Sequence, residues 1–460
     1  MLDDPAAGAR LDQPGVPEHE PPRQAREHDH QDDHELGAEQ QQRHGDEHDQ
    51  QRDRDQGQDR PEDRERPGVG QRARRVEPVE SRVAPAPARQ LEALRPAPAD
   101  RPARALRIPD RASHPRAPYP RVRDTRRVHV DLTLRALPIA DVASAAREAQ
   151  ALGFSGVGVT ESTGNPFVAA TLAADATADV RVSTGIALAL PRTPMDLAYT
   201  AWDLQTLSGG RFALGLGSQV RAHVERRYGA AFARPAARMR EQTLALRAIF
   251  DAWEHGSELA FEGEFWSHTL MPPNFRPPAL PDGVRRPPVL LAAVRERMLE
   301  VVGEVADGLL GHAFQTVDVL REVTLPALER GLETGGRARA DIEVTAGIFV
   351  ALDDGEWEGV RRRVAFYGST PGYRHVLDHH DLGGLFEALH AASRAGEWRT
   401  MPDLVDDDVL RLFAVRADTP AEAAAEIRAR VGGLADRVAL VGEQPDLAQW
   451  AAIAAALRDG

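Results

Sequence analysis

The sequence predicts an α/β chain whose folded part is a (β/α)8 TIM barrel with two insertion loops, preceded by a disordered N-terminal tail. Two observations carry this. Eight short apolar runs alternate with amphipathic, Ala-rich stretches, and all of them lie after residue 127. The chain is 42% hydrophobic with only 5% aromatics, a small-aliphatic composition suited to buried parallel strands beneath helices. Alternation of this kind is the pattern of repeated βα units, and eight is the number that closes a barrel.

The pattern begins at Val128. Residues 1–127 consist mainly of Arg, Asp, Glu, Gln, His, Pro and Ala, with Tyr119 as the only Phe, Tyr or Trp. Such a stretch buries too little apolar surface to offset the backbone entropy of folding and is expected to be disordered. His28, His30 and His34 suggest metal capture, but a solvated acidic tail is the plainer reading. The abrupt onset at Val128 raises a second expectation, that residues 1–127 reflect start-site choice.

From there the elements follow in order. Strands are predicted at 128–134, 156–160, 180–190, 212–217, 289–292, 308–312, 342–350 and 437–441, each a short apolar run. Helices of 3.6-residue period fit between them at 139–152, 194–207, 239–253 and 317–331. Two connections are unusually long. One spans 258–288 and holds Phe261, Phe265 and Trp266; the other spans about 368–420 and holds His375, His379 and His380. Long loops in a compact barrel are usually lids or substrate walls. The three histidines have helical spacing, yet no acidic cluster accompanies them, so no metal site is assigned.

Composition excludes several functions. A formal charge of −14 disfavours nucleic acid, which needs clustered positive charge. The absence of cysteine rules out disulfides, thiolate metal sites and Cys nucleophiles. Lysine is absent too, which rules out Schiff-base and P-loop lysine mechanisms. Redox chemistry therefore requires a borrowed cofactor. No apolar run approaches the roughly 20 residues that span a bilayer, and no secretory h-region opens the chain, so no membrane partner and a cytoplasmic location are expected.

In a barrel the active site lies where the strands end. Those ends are Thr160 and Glu161, Gly185 and Ile186, Gly215 to Gln219, Ala293 and Val294, and His312. Small residues admit a flat ring close to the backbone, and amides at helix starts hold phosphate. A dinucleotide fingerprint after Gly215 and Gly217 would need glycine where Val220 stands, so that motif fails. Arg238 and Glu241 lie one helical turn apart and read as structural.

Four segments carry a resemblance: GFSGVGVTES (153–162), VSTGIALALPRTPMDLAYTAWDLQTLSGGRFALGLGSQ (182–219), RMREQTLALRAIFDAW (238–253) and PVLLAAVRERMLEVVGEVADGLLGH (288–312). They resemble the luciferase-like monooxygenase superfamily of flavin-dependent and coenzyme F420-dependent oxidoreductases. The resemblance implies a ring held at the strand ends and a non-prolyl cis peptide at Gly185 and Ile186. It implies cofactor contacts from Thr160, Gly217, Ser218, Gln219, Arg221, Ala293 and Val294, and chemistry at Glu161 and His312. Ser162 stands where some F420-dependent relatives have histidine, which unsettles their acid/base assignment here. The implied function is F420-dependent hydride transfer to or from a small organic substrate, by a homodimer. The alternative is an FMN-dependent monooxygenase supplied with reduced flavin by a partner reductase, and a third reading is a non-catalytic flavin-binding barrel.

Overall fold

The computed structural model describes residues 128–442 and 446–459, so the predicted tail at 1–127, with its histidines and its start-site question, lies outside the described residues. Each of the eight predicted strands forms: β1 (His129–Leu134), β2 (Gly156–Val159), β3 (Arg181–Thr184), β4 (Phe212–Gly217), β5 (Val289–Ala292), β6 (Gly308–Leu310), β7 (Glu343–Ala351) and β8 (Arg437–Val441). All neighbours are parallel, and the sheet closes as β8 pairs with β1 through His129↔Arg437, giving a complete barrel.

Strand alternation places apolar side chains outward under the helices. On β1, Val130, Leu132 and Leu134 are buried in the barrel–helix core, while Asp131 and Thr133 take the opposite face and line the lumen. The outer helices are α1 (Val142–Ala151), α2 (Pro166–Ala176), α3 (Pro194–Leu207), α4 (Pro235–His255), α5 (Glu296–Val305), α6 (Leu325–Gly335), α7 (Asp354–Gly368), α8 (Gly383–Ala395), α9 (Pro420–Val431) and α10 (Leu447–Asp459). Their starts are written locally. Asn165, Thr193, Asp353 and Thr419 cap α2, α3, α7 and α9 by accepting a backbone N–H, and α2, α3 and α9 begin with proline, whose missing N–H costs nothing there.

Three expectations change. The run at 180–190 is not one strand: β3 stops at Thr184, the Gly185–Ile186 peptide is cis, and Ala187–Leu188 resumes pairing with β4. The connection at 258–288 contains a small antiparallel hairpin, Phe261–Glu262 with Ser267–His268, and then runs along α3, which binds it through Trp202 Nε1 to Pro278 O (3.0 Å) and Gln205 Nε2 to Arg285 O (2.7 Å).

The connection at 368–420 is not one long loop. It forms helical segments at Pro371–Tyr373, Arg374–Asp378, α8, Met401–Leu404 and Asp407–Phe413, then a strand, Ala414–Arg416, beside the end of β7. Phe386, Leu389 and Phe413 of this insertion join Phe314, Phe349 and Trp357 in a second hydrophobic core. Glycines, Pro371 and histidines in the segment mimic a loop, but the buried apolar side chains recur at helical spacing. No helix among the described residues is long and apolar enough to cross a membrane.

Candidate active site

At the foot of the barrel the lumen is charged. Arg437 on β8 grips Asp131 on the adjacent β1, while Arg181 on β3 reaches Glu343 on β7 at 2.5 Å. Strands β3 and β7 lie four places apart around the ring, so this bridge crosses the lumen. Burial would raise the Asp131 and Glu343 pKa values, but Arg437 and Arg181 outweigh it and hold both carboxyls below their ordinary range. The space for chemistry is therefore the other end.

There, Thr160 and Glu161 follow β2. Glu161 is buried, and its carboxylate accepts from Leu188 N (2.7 Å), from both Arg192 terminal nitrogens and from Tyr228 Oη. Burial pushes its pKa up, but the hydrogen bonds of Arg192, Tyr228 and Leu188 overcome that and leave it lowered. Burial, together with the same contact, raises the Tyr228 pKa. Phe167 stacks under Arg192, and Arg227 stacks on Tyr228 while donating to Ser162 O. A carboxylate so supplied with donors is fixed in the ionised form and orients its neighbours.

Beside it, Thr184 Oγ1 both accepts from Gly215 N (2.9 Å) and donates to Gly215 O (2.6 Å), drawing the ends of β3 and β4 together. A Cβ on Gly215 would stand 1.8 Å from the backbone oxygen of Thr184, so that position requires glycine, whereas one on Gly217 would stand 2.1 Å from Ile186 Cδ1 and would displace the end of that side chain. A Cβ on Gly185 would meet nothing within 4 Å. The tip of β3 thus presents bare backbone to open space, as a flat ring needs.

Ser218 and Gln219 follow β4 without starting a helix. Gln219 has φ 58°, its Oε1 accepts from its neighbour Val220 N, and helix begins only at Arg221, widening to a π-helix at His223–Arg227. A side-chain oxygen on its own chain's amide replaces the expected run of free helical N–H groups. Arg221 lies over the Phe232 ring and bonds Glu225.

Ala293 and Val294 follow β5 and lead into α5, which no side chain caps. Next to them Arg295 donates to Pro371 O (3.1 Å) and Gly372 O (3.3 Å), and the backbone of Val294 and Gly372 meets the His375 imidazole. The turn at Pro371–Tyr373 is strapped across the end of β5. His379 instead meets Glu322, and His380 Nε2 lies 2.8 Å from Thr316 Oγ1, so the three histidines do not converge on one point.

His312, two residues past β6, is partly exposed. Its Nδ1 accepts from Phe314 N (2.9 Å), and its ring packs against Tyr367 (4.5 Å between centroids) and Tyr373 (4.8 Å). Burial, aided by the Arg135 charge, lowers its pKa to about 4. It is neutral near pH 7 with the proton on Nε2.

Arg238 and Glu241 do not pair. The Glu241 carboxylate accepts from three successive amides, Glu264 N, Phe265 N and Trp266 N (2.6–2.8 Å), while Arg238 stacks on Phe265 and Trp266. Both pin the hairpin. Sequence reasoning missed Arg192, Tyr228, Tyr367, Tyr373 and the basal charges. Of these only the basal set carries a local signal: a charged residue such as Asp131 or Arg437 inside an apolar run has to face a lumen.

The luciferase-like monooxygenase family model matches residues 123–437. An uncharacterised protein of Mycobacterium tuberculosis is 45% identical over 306 residues, spanning 65% of this chain and 89% of that protein. The 5,10-methylenetetrahydromethanopterin reductase of Archaeoglobus fulgidus is 26% identical over 258 residues, 55% of this chain and 74% of the reductase. Among solved structures, the coenzyme F420-dependent tetrahydromethanopterin reductase of Methanopyrus kandleri superposes with a TM-score of 0.58 at 22% identity, covering 72% of this chain and 98% of that one, a likeness of fold.

Proposed function

Because this chain belongs to the luciferase-like monooxygenase family, we propose that it is a coenzyme F420-dependent oxidoreductase that moves a hydride to or from a small organic substrate. The observation that carries this reading is the open backbone face of Gly185 at the tip of β3, between the glycine-bound end of β4 and the fixed Glu161 carboxylate. Similarity to the archaeal tetrahydromethanopterin reductases, of which the Methanopyrus kandleri enzyme is described as coenzyme F420-dependent, supports F420 over FMN.

When bound, the deazaflavin supplies a carbon centre that donates or accepts hydride. Gly185 and Ile186 would meet the ring, Thr160 would line its edge, and Gly217, Ser218, Arg221, Ala293 and Val294 would face its tail. Gln219 contributes through its backbone turn, since its side chain is bonded to Val220 N. Glu161 is a positioning residue in this scheme: through Arg192 and Leu188 N it fixes the segment after Ile186, and through Tyr228 it fixes the π-helical segment. His312 faces the substrate.

Titration of the purified protein with F420 and with FMN, followed by fluorescence, tests the reading. Saturable binding tighter for F420 is expected; tighter binding of FMN would reverse the choice in favour of a monooxygenase fed by a reductase. A homodimer is part of the same proposal, checked by sedimentation.

A further inference from the structure

Deepening the oxidoreductase reading and resting on it, we infer that His312, held between Tyr367 and Tyr373, forms a subsite for an uncharged oxygen acceptor of the substrate, a carbonyl or a hydroxyl, which it binds through Nε2–H.

The main chain sets the tautomer. Phe314 N donates to His312 Nδ1 at 2.9 Å, which occupies that lone pair and leaves the ring proton on the other nitrogen. The side chain thus enters the site as a hydrogen-bond donor of fixed tautomer. Its walls are aromatic: Tyr367 stands edge-on at 4.5 Å and Tyr373 tilted at 4.8 Å, and the two tyrosines lie 5.5 Å apart. Phe314 closes the group, 5.6 Å from Tyr373.

Tyr373 is there because its turn is tied down. Arg295, at the end of β5, donates to the carbonyls of Pro371 and Gly372, immediately before Tyr373. Arg295 and Tyr373 are therefore positioning residues that act through the imidazole. Among the groups on the elements packed around His312, Tyr367, Tyr373 and Phe314 are uncharged, and Arg135, beyond β1, is the one charge among the described residues that shifts its titration. Arg135 disfavours an imidazolium and stabilises negative charge building on an oxygen held at Nε2. A carbonyl being reduced, or a hydroxyl being oxidised, has an oxygen of that kind.

The test uses the full chain labelled with 15N-histidine, with cyclohexanone and cyclohexanecarboxylate as probes. One imidazole is expected to show the Nε2–H tautomer and to stay neutral from about pH 8 to about pH 5.5, where ordinary histidines titrate. His312→Ala identifies the signal. Cyclohexanone should move it saturably, and His312→Ala should weaken that binding about tenfold, the value of one hydrogen bond. His312→Gln, which keeps a donor, should recover part of it. In Arg295→Gln the same resonance should broaden or shift as the turn loosens. An Nδ1–H tautomer, titration near the usual histidine value, or a saturable shift with cyclohexanecarboxylate alone overturns the inference. Each readout is independent of F420, so a failed cofactor titration and a failed subsite are told apart.

Discussion

Arg192 holds the Glu161 carboxylate with both terminal nitrogens, each bond 2.8 Å long, across 31 residues of sequence. A planar guanidinium facing a carboxylate in this two-point way fixes direction as well as distance.

Glu161→Gln should cost about 3 kcal/mol of stability, because it leaves a largely buried Arg192 without its counter-charge. Urea unfolding measures this. Cofactor affinity should fall with it, whereas a loss of turnover alone with unchanged binding and unchanged stability would contradict a positioning role.

Acid should destabilise the barrel through its foot. Asp131 and Glu343 have folded pKa values below their ordinary 3.8 and 4.5. Their contribution is therefore complete above those ordinary values and is lost as the pH falls through the lowered ones. Denaturation midpoints should drop steeply below about pH 4.5, and Asp131→Asn should flatten the slope while costing about 2–3 kcal/mol at neutral pH, less than for a fully buried pair.

Two glycines next to one another in space should answer oppositely to alanine. Gly215→Ala places a methyl 1.8 Å from a backbone carbonyl and should prevent folding or lower Tm severely. Gly185→Ala meets no protein atom, so stability should stay close to that of the parent while F420 binding weakens. Thermal scans alongside cofactor titration separate the two.

Glu241→Ala removes the acceptor shared by Glu264 N, Phe265 N and Trp266 N. Hydrogen exchange at those three amides should accelerate by orders of magnitude, with protease cutting at the hairpin before the barrel is touched. Unchanged protection there would mean that the Arg238 stacking alone secures the hairpin.

The strands were legible because each is a short apolar run covered by helices, and seven of the eight positions agree with the structure to within two residues, β3 alone stopping six residues short of its expected end. Strand ends were less so. Nothing local in the sequence separates Thr184 from Ile186, since the break in β3 depends on how closely Gly215 approaches from β4. The insertion was misread because its apolar residues are diluted by charge and interrupted by glycines; their common core appears only when Phe386 and Phe413 meet Phe314 and Phe349. Site positions were readable from barrel geometry, but partners were not. Glu161 meets Arg192 and Tyr228 over 31 and 67 residues, and His312 meets Tyr367 over a comparable gap, separations that carry no periodic signal.

The bridge from Arg181 to Glu343 has a consequence for traffic. With the lower opening barred by interlocked charges, anything that enters must leave by the same doorway it came through. The sidewalls of the upper entrance, not the floor, are then where selectivity can be changed without disturbing what holds the barrel shut.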